Sequence, residues 1–90
     1  MDQISLQEVK VYRLLSSHPE TWFSNRNISA EVKGVALRTV RACTRRFFDL
    51  GLVEKVHVFP GDRFRFSVAP KKNKKYIQQL EEAAAVLSES

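Results

Sequence analysis

A mainly α fold carrying one small antiparallel β hairpin, an α+β arrangement with a further helix at the C-terminus, is predicted from three observations on the 90-residue sequence. Three successive segments before residue 51 place apolar residues at helical spacing between capping and stop signals. Two β-rich runs, "LVEKVHVF" (52–59) and "RFRFSV" (63–68), flank "PGD", a turn signal. A last run, 76–90, is rich in helix formers and repeats Ile77, Leu80, Ala84 and Leu87 at spacings of three, four and three.

The first helix is expected over 5–17, with Leu6, Val9, Leu14 and Leu15 near one face and Ser5 with Glu8 as a capping box. Pro19 ends it by disfavouring helical geometry at His18. Trp22 and Phe23, just beyond, are expected to close the core between the first and second helices. Ser24 is the capping candidate for a short second helix from 25 to 32 or 33, before Gly34. A third helix runs over 36–50 and stops at Gly51. In the hairpin, a three-residue loop at 60–62 pairs Phe59 with Arg63, Val58 with Phe64, His57 with Arg65 and Val56 with Phe66. Apolar then meets apolar on one face, whereas a two-residue loop mixes the faces. That register puts Lys55, His57, Arg63 and Arg65 on the outer face and tip.

Ninety residues make one modest core, with 1–70 expected as the main domain and 71–90 as a basic linker and C-terminal helix. An apolar fraction of 43% with 28% charged residues is that of a folding chain and not of a disordered tail. The start, "MDQISLQEVK", has neither the basic nor the apolar region of an export signal, and no apolar run reaches bilayer length. The expected location is therefore the cytoplasm, or the nucleus in a eukaryote, with no membrane partner. Cys43 has no second cysteine to pair with, and with His18 and His57 it lacks zinc-site spacing, so it reads as a small half-buried residue. Paired carboxylates, a nucleophile with its base and a phosphate-cradling glycine loop are all missing from the sequence. Neither an enzyme nor a cofactor is expected, and nothing points to a small-molecule effector.

The net charge of +5 is unevenly spread. Residues 1–35 carry four acids and four bases, residues 36–75 carry eleven bases against Asp49, Glu54 and Asp62, and residues 76–90 carry only acids. A central segment at +8 points to a nucleic-acid or anionic-membrane surface, and less often just to a basic protein. On the third helix, at about 100° per residue, Arg38, Arg41 and Arg45 fall within roughly 60° of one another, opposite Val40, Cys43 and Phe47, with Arg46 on a flank. A solvated helix face normally mixes signs, and Asp49 is the only acid from 36 to 50.

Three helices followed by a hairpin with a basic tip, and in particular "SNRNISAEVKGVALRTVRACTRRFFDLGLVEK" (24–55), resemble the winged helix-turn-helix domains of MarR-like and related small prokaryotic regulators. The resemblance implies sequence-specific binding of double-stranded DNA by a small transcriptional regulator, the third helix in the major groove and the wing on backbone or minor groove. Carried onto this sequence, it implies contacts from Leu37, Arg38, Thr39, Arg41, Ala42, Arg45 and Arg46 on the helix. His57, Arg63 and Arg65 would serve on the wing, and Lys71 and Lys72 after it. Thr44 stands where the family has a buried Leu, and Phe48 where it has a polar residue. Phe48, Ile77, Leu80, Ala84 and Leu87 are accordingly expected to form the seam of a homodimer, the alternative being that the last helix packs on its own domain. Other functions compatible with the same elements are a winged-helix protein- or RNA-interaction module and a replication, partition or phage-type DNA-binding protein.

Overall fold

Helix α1 (Leu6–Ser17) begins where the Ser5 hydroxyl accepts the Glu8 amide at 3.2 Å, the cap expected from the sequence. The computed structural model describes residues 4–67 and 74–89. After α1 come β1 (Phe23–Ser24), α2 (Asn25–Glu31), α3 (Leu37–Asp49), β2 (Val53–Val58), β3 (Gly61–Phe66) and α4 (Lys74–Glu89). This is a winged helix: a helical body, a three-stranded antiparallel sheet in the order β1-β3-β2, and a closing C-terminal helix.

Local chemistry sets the boundaries. Ser24 and Asn27 form a reciprocal capping box at the start of α2, and Gly34 turns the chain toward α3 with φ of 81°. Ala36 caps α3 without a side-chain hydrogen bond. At the other end Gly51, with φ of 77°, donates to the Phe48 carbonyl, and Leu52 donates to the Phe47 carbonyl at 2.8 Å. This is a Schellman closure, and it sends the fully buried Leu52 back into the core.

The core joins all the helices to the sheet through Val11, Leu15, Ile28, Val40, Phe47 and Leu80, with Tyr12 set edge-on to both Phe47 and Phe66. Helix α1 buries Val11 and Tyr12 as well as Val9 and Leu15, while Leu6 is exposed. The single apolar face expected for α1 was too narrow because α4 covers a second one. On α4, Ile77, Leu80 and Ala84 are buried in the same core and Leu87 packs against it. This is the packing on their own domain given above as the alternative to a seam between two chains. Cys43 is buried and not half-buried.

The hairpin departs from the expected register. Its turn is Phe59–Pro60, a two-residue loop with a cis bond, so that Val58 pairs with Gly61, His57 with Asp62, Val56 with Arg63 and Lys55 with Phe64. The base of the hairpin selects this alignment: buried Val53 faces Phe66, and Ser67 donates to Leu52. Phe64 is pinned from its other side by Phe23 of β1, a short strand the sequence did not announce. Lys55 and His57 thus share the face of Phe64, while Val56 and Val58 share the opposite face with Arg63 and Arg65. Of the two aromatic residues expected to close the core, Phe23 does so and Trp22 stays exposed at 38%. Ser24 has two roles, as partner of Arg63 in the sheet and as cap of α2.

Candidate nucleic-acid interface

Helix α3 is held by its buried side, where Val40, Cys43, Thr44 and Phe47 pack inward. Thr44 is buried and donates its hydroxyl to Asn25 Oδ1 at 2.8 Å, which satisfies a polar group in a position suited to an apolar one and ties α3 to the start of α2. With that side fixed, Arg38, Arg41, Ala42 and Arg45 are turned to solvent, and Leu37 and Thr39 are half-buried at the helix start. None of Arg38, Arg41 and Arg45 has an ion-pair partner among the described residues.

The wing stands across from this stripe, and the space between them is a two-part groove. The inner part, about 310 Å³, is lined by Asn25, by Arg41, Thr44, Arg45, Phe48 and Asp49 of α3 and by Lys55, Asp62 and Phe64 of the wing. The outer part, about 440 Å³, runs from Ser24, Asn25 and Arg26 past Arg41 to the wing tip at Pro60, Gly61, Asp62 and Arg63. Lys55 of the wing reaches across to α3, with Nζ 4.4 Å from the centre of the Phe48 ring. Phe48, expected at a dimer seam, is 41% exposed and capped by this lysine of its own chain.

The remaining cations differ in what they already touch. Arg46 is half-buried with its guanidinium 4.6 Å from the Tyr76 ring centre, and the Tyr76 hydroxyl donates to Glu8, so this arginine faces α4 and α1. Arg65 donates from Nε and Nη2 to Glu54 Oε2 at 3.0 and 2.8 Å and stacks over Trp22 at 4.4 Å. His57 Nδ1 lies 2.9 Å from Asp62 Oδ1. Arg63 has no such partner among the described residues. Lys71 and Lys72 lie outside the described residues. The structure therefore brings Arg41, Arg45 and Arg63 to one groove, adds Arg26, Asn25 and Lys55, and turns Arg46 and Arg65 to other contacts. Sequence reasoning missed Asn25 and Arg26. The signal available for them was their place just after the Ser24 cap, since the start of α2 abuts α3.

Two buried groups away from the groove are held in their protonated forms. Burial, reinforced by the Glu8 carboxylate, pushes the Cys43 thiol up to about 11, so it is protonated at neutral pH. Burial and the charge and hydrogen bond of Glu81 push the Tyr12 phenol up to about 12. Among the described residues, no three His, Cys, Asp or Glu side chains converge to hold a metal ion, and no helix is long and apolar enough to cross a membrane.

No protein-family model matches the chain, and no curated protein matches it. Solved structures do. The ferric uptake regulator of Francisella tularensis, solved with iron, superposes with a TM-score of 0.70 at 10% identity, over 89% of this chain and 75% of that one. The Vibrio cholerae ferric uptake regulator (Fur), whose structure reveals a rearrangement of its DNA-binding domains, gives 0.67 at 18% identity, over 96% and 81%. A protein from Archaeoglobus fulgidus gives 0.65 at 14% identity, over 93% and 90%. At these identities the likeness is one of fold.

Proposed function

We propose that the chain binds double-stranded DNA as a small transcriptional regulator, with α3 in the major groove and the wing on the backbone or in the minor groove. One observation carries this reading: Arg38, Arg41 and Arg45 stand exposed along one side of α3 with no ion-pair partner among the described residues, and Arg41 and Arg45 line a groove whose far wall is the wing with Arg63. A major groove about 12 Å wide admits one α-helix, and guanine offers two acceptors that a guanidinium meets with two donors. Arg38 and Arg41 are assigned to base edges, with Leu37, Thr39 and Ala42 along the groove floor or its entrance. Arg45 and Arg63 are assigned to phosphates. Arg46, His57 and Arg65 rank below them because each already has a partner.

The DNA-binding domains named for the Vibrio protein support the reading by analogy of fold. A MarR-like assignment within the winged-helix class rests on the stretch 24–55. The reading implies a cytoplasmic location. Pairing of two chains on a two-half-site duplex would use surfaces other than the inner face of α4.

Titration of a labelled duplex at stepped salt concentrations tests the reading. Affinity should fall with a log–log slope near 0.9 per phosphate contact. Arg41→Ala should weaken binding to a duplex selected from a random pool more than binding to unselected duplex, by about 1–3 kcal/mol. Equal losses on both would make Arg41 a phosphate contact. Wild-type protein without salt-dependent duplex binding would favour the protein- or RNA-interaction reading.

A further inference from the structure

We propose that the wing tip carries a base-stacking wedge, Phe59, which enters the minor groove of a duplex seated on α3 and opens one base step. The proposal rests on the DNA reading above. Phe59 is 89% exposed, the most exposed of the large apolar side chains among the described residues, and it packs against no part of the core. In the two-residue turn Phe59–Pro60 the ring adds nothing to the apolar core, which leaves it available to a partner. The ring sits at the far end of the wing beside Pro60, and the exposed Val58 and Val56 of β2 continue its apolar surface toward the base of the wing.

The surroundings of the tip match nucleic acid. Pro60 and Gly61 line the same outer groove as Arg26, Arg41 and Arg63, so a backbone drawn to those cations passes directly under the turn. Asp62, the acid in that stretch, is paired with His57. A cationic cradle flanking a projecting apolar side chain is the arrangement by which minor-groove proteins wedge Phe or Pro between base steps and kink the duplex by roughly 20–90°. Val58 and Val56 extend the apolar surface behind the ring, but the groove beneath the turn is lined by Arg26, Arg41 and Arg63, and that charge favours nucleic acid over a protein partner. The step favoured for opening is a flexible pyrimidine–purine step, TA or CA.

The test uses a short duplex whose single TA step carries fluorescent aminopurine in place of adenine, with a donor and acceptor dye at its ends. Wild-type protein should bend the duplex and raise the aminopurine emission. Phe59→Ala, confirmed folded by circular dichroism, should lose both signals and about tenfold in affinity, the weight of one stacked base, while the salt slope stays unchanged. Phe59→Leu should keep most of the bend, because an apolar wedge need not be aromatic. Wild-type protein that binds with salt-dependent affinity and leaves the duplex straight overturns the wedge alone, as does Phe59→Ala with an undiminished bend. Wild-type protein that binds no duplex overturns the DNA reading, and the wedge with it.

Discussion

The hydroxyl of Thr44 and the side-chain carbonyl of Asn25, 2.8 Å apart, link the buried side of α3 to the first residue of α2. Thr44→Val keeps the branched shape and removes the donor, leaving Asn25 Oδ1 without its partner. The variant should lose about 1–2 kcal/mol of stability in urea titrations. A loss below a few tenths would mean that solvent replaces Thr44 without cost.

Leu80 is the second test, because it decides between a core helix and an association helix. It has no solvent exposure and packs with α1. Leu80→Ala should therefore cost about 2–5 kcal/mol, and removal of α4 should unfold the chain instead of releasing folded monomers. A truncated protein that keeps its circular dichroism spectrum and melts cooperatively would refute this.

Arg45 and Arg65 separate free cations from engaged ones. Arg45→Gln should flatten the log–log salt slope of duplex binding by about 0.9. Arg65→Gln should change it little, because its guanidinium is already held by Glu54 and Trp22, and the loss of that exposed pair should leave stability nearly unchanged. Equal effects on the slope would show that Glu54 does not hold Arg65 away from the backbone.

Alkaline pH should destabilise the fold in two stages. Burial and Glu8, opposed by Arg46, raise the Cys43 thiol from 9.0 to about 11, and burial with Glu81 raises Tyr12 from 10.0 to about 12. In both cases the unfolded chain ionises at lower pH than the folded one. The stabilisation is complete below the unfolded values and is lost as pH rises from there toward the folded ones. Denaturant midpoints should hold steady near neutrality and fall above about pH 9, and Cys43→Ala should remove the earlier part of the fall. A wild-type midpoint that does not decline across this range would contradict the burial of both groups.

Legibility in the sequence followed the range of the interactions. Ser5, Ser24 and Gly51 act within one helical turn of themselves, so the helix ends could be read directly, and the arginine stripe followed from helical period alone. The hairpin register could not. Alternation in β2 places Val56 and Val58 where a buried face is expected, but Val53 and the Phe23–Phe64 pairing, contacts from outside the hairpin, fix the alignment and turn those valines outward. The same limit applies to α1, whose second buried face exists only because α4 returns to cover it. In the site, Arg41, Arg45 and Arg63 were readable as cations on the right elements. The partners that occupy Arg46 and Arg65 were not, since Tyr76 and Trp22 reach them from distant parts of the chain.

The double use of Ser24 has a consequence for the rate of recognition. As the strand partner of Arg63 and the cap of α2, whose first residue is in turn bonded to Thr44, it connects the wing to α3 through a short series of hydrogen bonds. A surface assembled in advance in this way freezes few torsions on contact, so little of its attraction is offset by ordering. Encounter should then be limited by diffusion and by the pull of the cations, with no slow rearrangement before the final fit.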